Sequence, residues 1–328
     1  MNTGKSLIWH IAVPLVTLVA ASSSAQAAQV AITFDDLPLF GADAPPAEAE
    51  KISSNLLDGF KRHHWKVTGF VNEEQLEARR AERINLLRRW LDAGMDLGNH
   101  SYSHVSLTRT PVEAYIADVA RGETVTKELL AQHGRTERWY RYPYLETGPT
   151  IAIRKTFEVW LAAHGYRVAP VTMENSDWEF AEPYDDALAH QDTAAANHIR
   201  SAYLAYTKSI VPWYTNAAKA LLGRKPAFVF LLHASRLNAA SVDALAAIFK
   251  ANDLRPVSLA KAMRDFAYRI HDDYAGPDGD EWLTRWAMTL HKDLPYATLP
   301  KVPKDIARAD ARVEAATPDA QAPAVPQP

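Results

Sequence analysis

Asp35 and Asp36, His100 and His104, Arg141 and His233 are the residues of this 328-residue chain whose types can together do chemistry. Two adjacent carboxylates, two imidazoles four positions apart, a guanidinium and a late histidine are the parts of one metal-dependent hydrolytic site. Two neutral imidazoles with one carboxylate are a frequent ligand set for a hydrolytic zinc and leave a position open for water. Taken alone, His100 and His104 are weak evidence, since surface pairs of this spacing are common. Asp35 and Asp36 change the balance. Neighbouring carboxylates at a strand end repel each other and lose hydration, which a cation relieves; a helix or turn cap is the plainer alternative. Successive side chains point different ways, so one Asp can ligate while the other faces the reacting water as its base. Arg141 can hold that base through a bidentate pair; otherwise it is a loop arginine at the surface. A lone His after an apolar run is usually a satisfied structural residue. Yet His233 sits where a barrel displays catalytic groups and can protonate a leaving amine, with Asp177 orienting the ring and Trp178 walling the site. Aspartyl-phosphate phosphatases also place an Asp after their first strand, but their second Asp lies two positions later, where this chain has Leu37.

These residues need elements to bring them together. Short apolar, β-prone runs occur at 30–34, 67–71, 95–98, 139–140, 166–170, 227–232 and 256–258. Helical spacing fills the gaps: Ile52, Leu56, Leu57 and Phe60 within 49–63, Ile84, Leu87 and Leu91 before Gly94, then 112–130, 151–163, a long Ala-rich stretch at 185–222 with possible breaks such as Pro212, 239–250 and 259–268. Such alternation predicts a parallel sheet, because parallel strands need crossover helices. The reactive residues follow several different strands rather than one crevice. That favours a (β/α) barrel, with all of them at its C-terminal mouth, over an open doubly wound sheet.

Composition narrows the class. With 48% apolar residues the chain can bury a large core, and its net charge of −3, without a basic stripe, excludes nucleic acid as the main partner. It has no cysteine, which excludes disulfides, thiolate metal sites, cysteine nucleophiles and a lipidated N-terminal Cys. Lys5, the apolar run at 7–21 interrupted by His10 and Pro14, and Ala25-Gln26-Ala27 read as a signal peptide over 1–27. The run is shorter than the roughly 20 apolar residues a membrane span needs. The expectation is an exported protein, periplasmic or secreted, with no stable membrane anchor after cleavage. A barrel domain is expected over 28–270, a helical extension over 271–312 and a disordered Pro/Ala-rich tail over 313–328. In the extension, acidic residues around Gly276-Pro277 lack EF-hand spacing. They read as a turn, with Asp280 as N-cap of a helix carrying Trp282 and Trp286.

The motifs now on the page resemble those of the polysaccharide deacetylases, the NodB-homology group of carbohydrate esterase family 4. The likeness covers roughly 30–268 and rests on five short motifs in order: TFDD at 33–36, HSYSH at 100–104, RYPY at 141–144, SDW at 176–178 and LLH at 231–233. The resemblance implies a distorted, partly open (β/α) barrel of about seven parallel strands and one divalent metal, zinc or in its place cobalt or manganese. It implies Asp36, His100 and His104 as ligands and Asp35 as general base oriented by Arg141. The N–H of Tyr144 would face the oxyanion, and Asp177 would tune His233 as general acid. Leu231 and Trp178 would line a pocket for the acetyl methyl. The implied reaction is hydrolysis of N-acetyl groups on an acetylated glycan outside the cytoplasm. O-acetyl esters or small amides are the alternative substrates, and a silent glycan-binding protein is a more distant reading. Ala234 follows His233 where many members carry an acidic residue, and the 185–222 stretch and the extension exceed the minimal domain. Neither the glycan nor an oligomeric state is specified.

Overall fold

The structure, a computed structural model, describes residue 1 and residues 27–41 and 44–316. The signal-peptide expectation therefore lies almost wholly outside the described residues. Among those residues no helix is long and apolar enough to cross a membrane.

Seven parallel strands form one curled sheet: β1 (Ala28–Leu37), β2 (Thr68–Val71), β3 (Asp96–Asn99), β4 (Trp139–Tyr140), β5 (Arg167–Val168), β6 (Phe228–His233) and β7 (Leu254–Val257). Their order is β5-β4-β3-β2-β1-β6, with β7 also paired to β1. The segment after β5 turns back to β6, where Met173 bridges Phe230 and the Thr172 N–H donates to the Val229 carbonyl at 3.0 Å. The sheet is thereby a distorted (β/α) barrel, as the alternating pattern predicts.

The period-2 alternation of β1 explains how the barrel carries chemistry. Val30, Ile32 and Phe34 face outward under the helices, where Phe34 meets Phe60 at 5.2 Å and Trp90 at 5.9 Å between ring centroids. Ala31 faces inward onto Phe70, Trp139, Ala169 and Val229. Thr33 and Asp35 continue that inner row toward the mouth. Strand β6 repeats the pattern: Phe228, Phe230 and Leu232 pack outward, while Val229, Leu231 and His233 share the inner face. Opposite β1, Leu231 pairs with Thr33 and His233 with Asp35.

Several helices differ from their sequence expectation. The 112–130 stretch is two helices, Val112–Arg121 and Thr124–Gln132. Gly122 lies so close to the Ser101–Tyr102 backbone that no side chain fits there. The second helix is restarted by Glu73, whose carboxylate accepts the N–H groups of Val125 at 3.0 Å and Thr126 at 2.7 Å. The 185–222 stretch breaks not at Pro212 but near left-handed Gln191, between Asp177–Ala189 and Thr193–Leu222; Asp192 caps the latter. Residues 239–250 likewise divide, into Arg236–Ala239 and Val242–Ala251.

The C-terminal extension is joined closely to the barrel. Its helix Trp282–Thr289 buries Trp282, Leu283 and Trp286, and the Trp282 N–H donates to the Val171 carbonyl at 2.7 Å. Fully buried Arg285 lies 2.7 Å from the Asp272 carboxylate, which Arg154 of the barrel also reaches at 3.1 Å. The expected cap is corrected: Glu281, not Asp280, occupies the N-cap position, without a side-chain capping bond, because Glu281 turns to Tyr214 instead. A last helix, Lys304–Ala316, packs on Asp177–Ala189. It runs past residue 312, so residues 313–316 are helical rather than tail; 317–328 lie outside the described residues.

Glu174 of the barrel and Glu281 of the extension share the Tyr214 hydroxyl, at 3.4 and 2.8 Å. Burial, reinforced by the neighbouring Glu281 charge, pushes Glu174 up to about 8 from its ordinary 4.5. The folded state thus keeps a proton that the unfolded chain releases, and stability falls as pH rises from about 4.5 through about 8. We expect the melting temperature to decline between about pH 5 and 9, and Glu174→Gln to flatten that decline in a thermal-melt series.

Candidate active site

Asp35 ends the inner row of β1, and Arg141 holds it from below. Arg141 is fully buried just after β4; its Nη1 donates to both Asp35 oxygens, at 3.1 and 3.3 Å. Its Nη2 donates to Thr33 Oγ1 at 3.1 Å, its Nε to the Ala169 carbonyl at 2.8 Å, and its guanidinium lies over the Phe70 ring. The expected bidentate fork is therefore replaced by one nitrogen spanning both oxygens, because Thr33 and Ala169 occupy the others. Burial raises the Asp35 pKa, with Arg141 opposing. A carboxylate so placed is a stronger base than one in water.

Asp36 turns away from Asp35 through a left-handed backbone, φ 58°. Its Oδ1 lies 3.6 Å from His100 Nε2 and 3.5 Å from His104 Nε2. That oxygen is buried with no hydrogen-bond partner, which is costly for a carboxylate. His100 Nδ1 lies 2.8 Å from the Arg141 carbonyl, so Nδ1 carries the hydrogen and Nε2 presents its lone pair to Asp36. Burial, with His104 nearby, pushes His100 down to about 3, keeping it neutral as a ligand must be. Donors about 2.0–2.1 Å from one tetrahedral zinc stand roughly 3.4 Å apart. The separations here, and the orphaned oxygen, fit a cation among Asp36, His100 and His104.

The loop after β3 is shaped for this. The Ser101 N–H donates to Asn99 Oδ1 at 2.7 Å, and Ser101 Oγ accepts the His104 N–H at 3.0 Å. Ser101 and His104 are both left-handed, φ 64° and 54°. Non-glycine residues adopt that region at a cost, and such residues cluster at functional sites. Gly122 beneath the loop allows its close approach.

On the facing strand, His233 Nδ1 lies 2.8 Å from Asp177 Oδ1, and the His233 N–H donates to Asp177 Oδ2 at 2.7 Å. Its Nε2 is then free to face the site, 3.9 Å from Asp36 Oδ2. Burial works against the charged ring, but the Asp177 carboxylate outweighs it and lifts His233 to about 9. Trp178 stands edge-on to His233 at 6.0 Å and Leu231 lies one inner position below it. Half-exposed Tyr144 covers the other side, its ring 4.5 Å from that of His104. As second residue of the turn Pro143–Leu145, its N–H has no partner within that turn. A cavity of about 440 Å³ opens beside Asp36 and His104, lined also by Phe40, Asn72, Glu74 and Tyr102.

All the residues singled out in the sequence thus gather at the barrel mouth. Two contributors were not foreseen. Asn238 donates its side-chain N–H to Asp177 Oδ2 and to the His233 carbonyl. Phe40 packs 4.6 Å from the His233 ring, and its N–H donates to the Ala234 carbonyl at 3.0 Å. Neither belongs to a motif, and only the folded loops bring them here.

A family model described as polysaccharide deacetylase matches residues 22–169, which hold the first three motifs. The matched part of the barrel is similar to the polysaccharide deacetylases, which supports a NodB-type reading of the domain. Among curated proteins, a peptidoglycan-N-acetylglucosamine deacetylase of Bacillus cereus is 26% identical over 152 residues, 46% of this chain and 47% of that protein. The peptidoglycan-N-acetylglucosamine deacetylase PgdA of Listeria monocytogenes is 24% identical over 152 residues, 27% of its length. The match thus spans about half of the first relative, or less. The chitin deacetylase of the fungal pathogen Colletotrichum lindemuthianum shares the fold, with a TM-score of 0.50 at 20% identity over 72% of this chain and 88% of that one. The deacetylase motifs at 176–178 and 231–233 lie beyond the matched span; geometry alone joins them to the first three.

Proposed function

We propose that this chain hydrolyses N-acetyl groups from an acetylated glycan outside the cytoplasm, releasing acetate and a free amine. One observation carries the reading: Asp35 and His233, register partners on adjacent strands, flank a carboxylate–imidazole–imidazole cluster whose central oxygen has no partner. Asp36, His100 and His104 would hold one divalent cation, zinc or in its place cobalt or manganese. Such a cation polarises a carbonyl oxygen and lowers the pKa of water.

The chain's own groups supply the proton traffic. Asp35 takes a proton from the water whose oxygen attacks the acetyl carbon, while Arg141 keeps the carboxylate aimed and ionised. The Tyr144 N–H donates to the oxyanion of the tetrahedral intermediate; one such donor is worth about 3 kcal/mol. His233, its Nδ1 fixed by Asp177, passes the Nε2 proton to the departing nitrogen as the C–N bond breaks. Leu231 and Trp178 would line the pocket for the acetyl methyl group, as the family resemblance implies. The family resemblance and the relatives named as glycan deacetylases support this assignment. The apolar N-terminal run supports export to the periplasm or beyond.

The test is acetate release from chitooligosaccharides, peptidoglycan and acetylated xylan by apo-protein resupplied with zinc, cobalt or manganese. Release from an N-acetylated glycan only after resupply is expected. Release only from acetylated xylan would move the activity to O-acetyl esters, and glycan binding without release would make the chain a binding protein. Asp177→Asn should lower kcat about 10²-fold with metal content unchanged, since the amide no longer holds His233 in its working tautomer. Steady-state kinetics beside metal analysis checks this.

A further inference from the structure

The extension approaches the site at one place. Thr108 Oγ1 donates to the Pro277 carbonyl at 2.9 Å, and the Gly276 N–H donates to the Gly148 carbonyl at 3.4 Å. Just after these tied residues Gly279 lies flat against the Tyr144 carbonyl, so close that a Cβ on Gly279 would collide with it and with the Leu145 backbone. Tyr274 Oη donates to the Asp278 carbonyl at 2.9 Å and braces the segment from its own side. The backbone it presses on is unusual. Tyr144 and Leu145 are consecutive non-glycine residues in the left-handed region, φ 56° and 57°. Such a pair persists only where its surroundings over-determine it. A residue of the extension, far along the chain and outside the matched family span, supplies part of that determination.

We propose that residues 274–280 are a strap that positions the Tyr144 turn, with Gly279 as its positioning residue. The proposal rests on the deacetylase reading for its catalytic consequence: the strap sets the direction of the Tyr144 N–H and seats the Tyr144 ring on His104. Gly279 is required because only a residue without a side chain lets the strap reach the Tyr144 carbonyl. Among the described residues no hydrogen bond or ion pair joins the strap to Asp36, His100 or His104, so its loss should spare metal content. A donor displaced by about an ångström costs on the order of 10²-fold in rate.

The experiment compares wild type with Gly279→Ala in the full chain. Measured are kcat and KM for acetate release, bound metal, and amide hydrogen exchange over residues 143–148. Expected for the variant are a kcat lower by about 10- to 100-fold, a KM within about twofold, unchanged metal and faster exchange confined to that turn. Thr108→Val, which removes one tie without adding bulk, should shift exchange and kcat in the same direction by about two- to fivefold. It decides the matter if the alanine variant fails to fold. Unchanged exchange and kcat in a folded variant, beside an active wild type, would overturn the strap and leave the deacetylase reading standing. A wild type that releases no acetate would fail that reading instead, while the exchange rates still judge the strap.

Discussion

Asp36→Ala is expected to abolish metal retention and turnover together. Among the described residues Asp36 Oδ1 is the carboxylate oxygen near both His100 Nε2 and His104 Nε2, whereas Asp35 Oδ2 approaches only His100, at 3.7 Å; Asp36 Oδ1 has no hydrogen bond to satisfy it otherwise. Without it two neutral imidazoles remain, a weak site for a hard-to-soft borderline cation. Metal content after dialysis should fall from near one equivalent to near zero, and kcat/KM by at least about 10⁴-fold, a loss of roughly 5 kcal/mol of transition-state stabilisation. The fold should survive. Alanine in the left-handed region costs about 1–2 kcal/mol, but a buried carboxylate oxygen with no hydrogen bond disappears at the same time. Elemental analysis, kinetics and a melting curve on one preparation check the three statements. A variant that keeps its metal would move the ligand role away from Asp36.

Asp35→Asn separates base from ligand. The amide has the same shape, and its oxygen can still accept from Arg141 Nη1. Metal content should stay near that of the wild type while kcat falls about 10³- to 10⁴-fold, the worth of a positioned general base. A second effect follows from burial. Arg141 is fully buried, and Asp35 is the only carboxylate it pairs with among the described residues. Neutralising that partner leaves a buried guanidinium charge held only by neutral acceptors: the amide oxygen, Thr33 and the Ala169 carbonyl. Breaking a buried pair commonly costs about 3–5 kcal/mol, so the melting temperature should drop as well. Loss of metal in this variant would show that both carboxylates serve as ligands.

Much of the site is legible before folding because strand periodicity does the placing. Ala31, Thr33 and Asp35 alternate with Val30, Ile32 and Phe34, so the reactive carboxylate must lie on the face opposite the bulky apolar residues. Val229, Leu231 and His233 follow the same rule. What sequence does not disclose is backbone that departs from residue preference. Asp36, Ser101, His104, Tyr144 and Ser176 are all left-handed without being glycine. Nothing in their side chains announces it, because the conformation is imposed by tertiary contacts. Asn238 and Phe40 escape notice for a related reason: each acts through a residue distant in sequence. The helix break at Gly122 needed the Ser101 loop against it and the Glu73 carboxylate beyond it. The Asp280 cap fails because a local rule for helix starts ignores Tyr214, which draws Glu281 aside.

Anomalous diffraction at the zinc edge, from crystals of protein reconstituted with zinc, addresses the central claim most directly. One strong peak is expected, bonded at about 2.0–2.2 Å to an Asp36 oxygen and to the ε-nitrogens of His100 and His104. A peak bound elsewhere, with those three side chains parted and no density between them, would contradict it.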